Sequence, residues 1–239
     1  MAVCPGGSRA GKLDSRACPG GQLIQGAGFE DRRAGGRRLA TELTGYAGRD
    51  DVVVLGLPRG GVPVAFEVAQ ALDAPLDVFM VRKLGVPGHE ELALGAIASG
   101  GVRALNLDVL AAIGISGEQV EAVAARELEE LERREISYRG HRPPLPVDGR
   151  VAIVVDDGLA TGATMRAAAY ALRRRGASRI VVAVPIAPAQ TCESLRRDAE
   201  EVVCTLTPEP FTAVGRWYDD FAPVSDEEVR SLLDPPLPG

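Results

Sequence analysis

The chain predicts an α/β protein: a mostly parallel sheet with helices on both faces. Short branched-chain runs alternate with helical stretches along most of its length. Hydrophobic residues make up 46% of the 239, yet aromatics only 4%. A core of small and branched side chains suits helices packed on a sheet that is buried on both sides.

The elements follow in order. Residues 1–28 are rich in Gly, Pro, Ser and Arg and lack any helical or strand period, which predicts a disordered N-terminal extension. Its start, MAVCPGGSRAGKLDSRACPGG, has no apolar centre and does not read as a secretory signal. From Phe29 the pattern changes. Leu39 and Leu43 share a face with Ala40, and Arg32, Arg33, Arg37 and Arg38 surround them, predicting an amphipathic helix with a solvated basic flank. Val52 to Leu55 reads as a buried strand, Val64 to Leu72 as a helix and Leu76 to Val81 as a strand. Gly85 to Gly101 reads as irregular and glycine-rich. Ser116 and Gln119 form a capping-box start for a helix with Val120, Val123, Leu128 and Leu131 on one face, ending near His141. The sequence then predicts a strand over Val151 to Val155, a helix from Thr164 to Arg175 and a strand from Arg179 to Val184. A helix over Pro188 to Asp198 and a strand over Glu201 to Thr205 follow. The expected division is an α/β core over residues 29–206 and a C-terminal hood segment and tail over 207–239.

The formal net charge of −6 and pI near 5.1 exclude the positive footprint of a general nucleic-acid binder. No apolar run is long enough to span a bilayer, and a cytoplasmic location is expected. Cys4, Cys18, Cys192 and Cys204 form no C-x-x-C pair and have no histidine at metal-ligand spacing, so they read as free thiols.

The chemistry concentrates in VAIVVDDGLATGAT, Val151 to Thr164. The loop leaves an apolar strand and enters a helix, so its amides converge at a helix N-terminus, where the dipole favours an anion. Gly158 and Gly162 permit close approach, and Thr161 and Thr164 add hydroxyl donors. The loop lacks the G-K-[ST] end of a P-loop and the G-x-G-x-x-G of a dinucleotide site. Its distinguishing feature is the pair Asp156-Asp157 just before the phosphate cradle. Two carboxylates repel a bare polyphosphate, but they suit the vicinal hydroxyls of a ribose whose 5′-phosphate lies one loop further on.

This segment closely resembles the signature of the type I phosphoribosyltransferases, and FEDRRAGGRRLA and VGRWYDDF resemble a subgroup of unsettled substrate. The resemblance implies a Rossmann-like sheet with a small hood from the terminal segments. It also implies phosphoribosyl pyrophosphate as donor, a nucleobase-like acceptor, Mg2+ and a homodimer. Asp156 and Asp157 would hold the ribose hydroxyls and, through water, the metal. Gly158, Ala160, Thr161, Gly162, Ala163 and Thr164 would bind the 5′-phosphate. The diphosphate would meet Arg59, Gly60 and Gly61 after the first strand, together with Arg82 and Lys83 at the rim. Relatives often carry a cis peptide in that first loop; Leu57-Pro58 and Pro58-Arg59 are both candidates here. Gly85 to Gly101 stands where the family has a mobile catalytic loop, with His89, Glu90 and Glu91 as its polar contents. Asp156, Asp157, Lys83 and His89 are the catalytic candidates. Phe211, Trp217 and Tyr218, with Phe221 nearby, are candidates for stacking on the base. A non-catalytic regulator that senses phosphoribosyl pyrophosphate is the alternative, its Arg-rich first helix docking nucleic acid. A synthetase making that donor is disfavoured because no adenine-nucleotide site is apparent.

Overall fold

The structure, a computed structural model, describes residues 28–86, 89–140 and 142–234. In chain order its elements are α1 (Arg32–Ala40), β1 (Val52–Gly56), α2 (Gly61–Leu72), β2 (Leu76–Val78), β3 (Val81–Val86), β4 (His89–Ala98) and β5 (Val102–Leu105). Then come α3 (Leu107–Ile113), α4 (Gly117–Arg139), β6 (Val151–Val155), α5 (Ala163–Arg174), β7 (Arg179–Ile186), α6 (Ala189–Leu195), β8 (Glu201–Leu206) and α7 (Asp226–Leu233). Thr44–Tyr46 and Val214–Trp217 are short 3-10 turns. The expected extension lies outside the described residues, apart from Gly28.

The main sheet is parallel, in the order β2-β1-β6-β7-β8. Strand alternation divides its side chains between two cores. Val52, Val54, Val151, Ile153, Val155, Val181 and Ala183 pack with residues of α1 and α2. Val53, Leu55, Ala152, Val154, Ile180, Val182 and Val184 face α5 and α6 on the other side. Near-continuous Val and Ile runs are what a sheet covered on both faces requires.

The chain goes outward from β1 to β2, then returns to place β6 on the other side of β1. The sheet's switch point therefore lies between the carboxyl ends of β1 and β6, which are in register at Gly56 and Val155. A crevice opens at that point in sheets of this kind.

Three expectations change. Gly85 to Gly101 is not irregular: β3, β4 and β5 form an antiparallel sheet, with a register shift around Gly85. Its apolar residues Leu84, Leu94 and Ile97 join α4 and α7 in a third core. Cys192 and Cys204 are not free thiols. They are joined as a disulfide between α6 and β8, with Cα atoms 6.7 Å apart. The expected Leu76 to Val81 strand splits after Val78, and Val81 starts the second sheet.

Other expectations match closely. Ser116 and Gln119 make the reciprocal capping box of α4. Its end is fixed by a buried ion pair: Arg139 Nε lies 2.7 Å from Asp77 Oδ1 on β2. Beyond β8, α7 packs on α4, placing Val229 and Leu233 in the third core. No helix among the described residues is long and apolar enough to cross a membrane.

Candidate active site

The site forms where β1 and β6 end. Leu57 N donates to Val155 O at 2.9 Å, holding the loop after β1 against the end of β6. Gly61 makes this approach possible: a Cβ there would lie 2.7 Å from Val155 O and 2.8 Å from Asp156 Cα. A Cβ at Gly60 would run into the Asp157 carboxylate. Of the two candidate bonds in this loop, Pro58-Arg59 is cis.

Asp156 and Asp157 leave β6 directly into this crevice. Asp157 N donates to Asp156 Oδ1 at 2.8 Å, which fixes the first carboxylate against its own backbone. Burial pushes Asp156 well above the usual carboxylate range, and the neighbouring Asp157 charge adds to the shift. Burial raises Asp157 as well, opposed by Arg32. Burial thus keeps both carboxylates harder to ionise than in water even with Arg32 beside Asp157.

Next, Leu159 N bonds Ile186 O at 2.9 Å, and Thr191 Oγ1 donates to Ala160 O at 2.7 Å, tying the loop to β7 and α6. Arg166 Nη1 donates to Thr161 O at 3.0 Å. Gly162, at φ +73°, is the N-cap of α5 and has no side chain to cap it. Among the described residues no side chain accepts from the opening amides of α5 except at Ala163, 3.4 Å from Thr161 Oγ1. Ala160, Thr161, Ala163 and Thr164 are exposed, as an anion cradle must be. A Cβ at Gly158 would press on Val214 Cγ1 at 2.5 Å and Ile186 Cγ2 at 2.8 Å, so the turn and the C-terminal segment touch there.

The remaining candidates divide. Lys83 is exposed and shares a cleft of about 840 Å³ with Ala163, Thr164, Arg166 and Tyr170. That cleft borders the start of α5 without reaching the two carboxylates. Arg82 does not face it. Adjacent strand residues point to opposite faces, and Arg82 pairs with Glu127 of α4 at 2.6 Å. Arg59 extends toward Asp226 of α7, 3.8 Å away. His89 belongs to β4, but its side chain and those of Glu90 and Glu91 lie outside the described residues, as does His141.

The hood aromatics also depart from expectation. Tyr218 is only 6% exposed, with its ring 5.1 Å from Phe221 and 5.6 Å from Phe29 between centroids. Its stacking capacity is used within the protein, so it offers no open face to a base. Its hydroxyl donates to Asp157 O at 2.5 Å. Phe211 and Trp217 are half-buried in the same cluster. Trp217 Nε1 is buried with no hydrogen-bond partner among the described residues.

Arg32 is the residue that sequence reasoning missed. Asp31 caps α1 by accepting from Ala34 N at 2.7 Å, making Arg32 the first helical residue. Gly36 lets α1 lie close on α2, since a Cβ there would be 2.7 Å from Val64 O. Arg32 consequently reaches the switch point, with Nε 2.8 Å from Asp157 Oδ2. Arg33 and Arg37 pair with Glu67 but stay about half exposed, and Arg38 is exposed, so apart from Arg32 the basic face is the solvated flank expected. The only local signal was the arginine directly after an N-cap aspartate.

Comparison with known proteins agrees with this geometry. A family described as "Phosphoribosyl transferase domain" matches residues 29–216. Two Mycobacterium tuberculosis proteins, from strains CDC 1551 / Oshkosh and H37Rv, are each named "Putative phosphoribosyl transferase". Each is 51% identical over 206 residues, covering 86% of this chain and 46% of its own length. The chain thus spans about half the length of these curated relatives. The solved structure of TT1426 from Thermus thermophilus is 45% identical with a TM-score of 0.75, covering 86% of this chain and 97% of that one.

Proposed function

Because the chain belongs to the phosphoribosyl transferase domain family, we propose that it transfers the 5-phosphoribosyl group from phosphoribosyl pyrophosphate to a nucleobase or similar nitrogen heterocycle. A ring nitrogen attacks C1 of the donor as the bond from C1 to the diphosphate oxygen breaks. Pyrophosphate leaves, and the acceptor gives up its ring proton. The product is a nucleoside monophosphate, consistent with nucleotide salvage.

One observation carries this reading. The carboxylates of Asp156 and Asp157, the close-packed Gly60-Gly61 loop and the uncapped start of α5 meet at a single switch point. The spacing suits ribose hydroxyls at the carboxylates, a 5′-phosphate at Ala160 to Thr164 and a diphosphate at Gly60-Gly61. With an oxocarbenium-like transition state, the protein's task is to position the donor, exclude water and stabilise the departing diphosphate.

The site also suits magnesium. Its donors are two hard carboxylates, and among the described residues no larger group of His, Cys, Asp or Glu forms a metal cage. Mg2+ is commonly held by one or two carboxylates together with substrate phosphates and water. Asp156 and Asp157 would hold it through water, and when bound it would neutralise charge on the diphosphate.

Pyrophosphate release from donor, Mg2+ and a panel of bases tests the reading. Activity with at least one base is expected, and the Asp156→Asn/Asp157→Asn double variant should have none. Full turnover in that variant would overturn the assignment of the carboxylates. Failure of every base while the donor still binds would favour the non-catalytic regulator.

A further inference from the structure

We infer that Arg32 forms a wall of the diphosphate subsite and binds the departing group directly, an inference that rests on the donor site proposed above. Its surroundings are those of a built site. The guanidinium side chain is 12% exposed and held on three sides: Nε by Asp157 Oδ2 at 2.8 Å, Nη1 by Ala222 O at 2.8 Å, and its plane over the Phe221 ring, 3.8 Å from the centroid. An arginine serving only solubility is not fixed at three points, because ordering so long a side chain costs conformational entropy.

The neighbourhood adds a second argument. A Cβ placed on Gly60 would lie 3.2 Å from Arg32 Nε and against the Asp157 carboxylate. The arginine, the ribose carboxylate and the backbone of the diphosphate loop therefore converge within one side-chain radius. A ligand bridging the carboxylates and that loop cannot avoid the guanidinium.

The charge balance gives a third. A diphosphate brought beside two carboxylates needs a cation. Arg59 extends toward Asp226, and Arg82 pairs with Glu127 on the far side of its strand. Arg32 is already in contact with the carboxylate pair. Among the described residues its Nη2 has no protein partner, leaving one edge of the planar fork for an oxyanion.

The test is calorimetric titration of the full chain with Mg2+ present, using three probes: phosphoribosyl pyrophosphate, inorganic pyrophosphate and ribose 5-phosphate. In Arg32→Gln, affinity for the two diphosphate-bearing probes should fall about 10- to 100-fold, the worth of a hydrogen bond to a charged group. Ribose 5-phosphate affinity should be unchanged. Arg32→Lys, which keeps the charge and so guards against misfolding of the first variant, should lie between wild type and Gln. Equal loss for all three probes in both variants marks a merely structural role and overturns the inference. Unchanged pyrophosphate affinity in Arg32→Gln also overturns it, while the proposed function stands. A wild-type protein that binds none of the three overturns both.

Discussion

Tyr218 donates its hydroxyl to the backbone carbonyl of Asp157 across 2.5 Å, tying the C-terminal segment to the end of β6. Burial pushes the Tyr218 hydroxyl far above its ordinary proton affinity, so it stays a donor at any working pH. The C-terminal segment thus acts on the proposed donor site through the main chain of Asp157. Tyr218→Phe preserves the stack with Phe221 and removes only this bond. The expected cost is about 1 kcal/mol of stability, or a fall in Tm of about 2–4 °C. The KM for phosphoribosyl pyrophosphate should rise more than kcat falls. Denaturant melts with steady-state kinetics check both, and an unchanged KM would show that the carbonyl is held by other means.

Asp156 carries a stability cost of definite sign. Its folded-state proton affinity is raised by burial and by Asp157 above the ordinary value of 3.8. Between that value and the raised one, the folded protein binds more protons than the unfolded chain, so stability falls as pH rises through the window. Asn at this position carries no charge to desolvate. Asp156→Asn should therefore be more stable than wild type at pH 7 without ligand, and the gap should close as pH falls toward about 4. Thermal melts across this range measure it; a variant less stable than wild type at pH 7 contradicts the sign. Gain of stability with loss of turnover is the usual trade at a strained functional site.

Arg139 and Asp77 form a pair of a different kind. Both are buried; Arg139 Nη2 also donates to Val78 O at 2.7 Å, and Asp77 Oδ2 accepts from Leu145 N at 3.0 Å. The pair locks the end of α4 to β2. Arg139→Ala leaves Asp77 buried without its cation and should cost about 3–5 kcal/mol in urea unfolding. Asp77→Asn/Arg139→Met/Glu135→Gln, which removes both charges of the pair and that of Glu135, 3.2 Å from Arg139 Nη1, should cost less than the single change. A larger cost for this combined variant would show that the ion pairs themselves, and not the orphaned charges, dominate.

What the sequence made legible was local. Val52 to Leu55 and Val151 to Val155 read correctly because buried parallel strands are apolar on both faces. Ser116 and Gln119 read correctly because a capping box closes within one turn. Arg32 was hidden because its partner Asp157 lies 125 residues away, and nothing in an Arg-rich helix says which arginine is buried. The β3–β4 pairing was hidden for a related reason: glycines such as Gly95, at φ +155°, suggest a loop until the partner strand is in place. Tyr218 reads from the sequence as a ring free to stack on a base, but a side chain's aromatic face does not reveal what already covers it. Cys192 and Cys204, 12 apart in sequence, match no local motif, and only the packing of α6 beside β8 brings them together.

Gly60 and Gly61 separate site chemistry from folding within two adjacent residues. Gly61 faces backbone atoms, Val155 O and Asp156 Cα, which cannot move without disturbing the β1–β6 pairing. Gly61→Ala should lose about 1–3 kcal/mol of stability, the usual cost of overpacking, and activity with it. Gly60 has φ −60° and ψ −33°, a conformation alanine adopts freely. The atoms its Cβ would meet belong to the Asp157 and Arg32 side chains and not to the backbone. Gly60→Ala should consequently cost less stability than Gly61→Ala, only the worth of the Arg32–Asp157 contact, while donor affinity falls because the carboxylate and the guanidinium are displaced from each other. Paired urea melts and donor titrations of the two variants give the comparison. If Gly60→Ala binds the donor as wild type does, the diphosphate is not seated between this loop and Asp157.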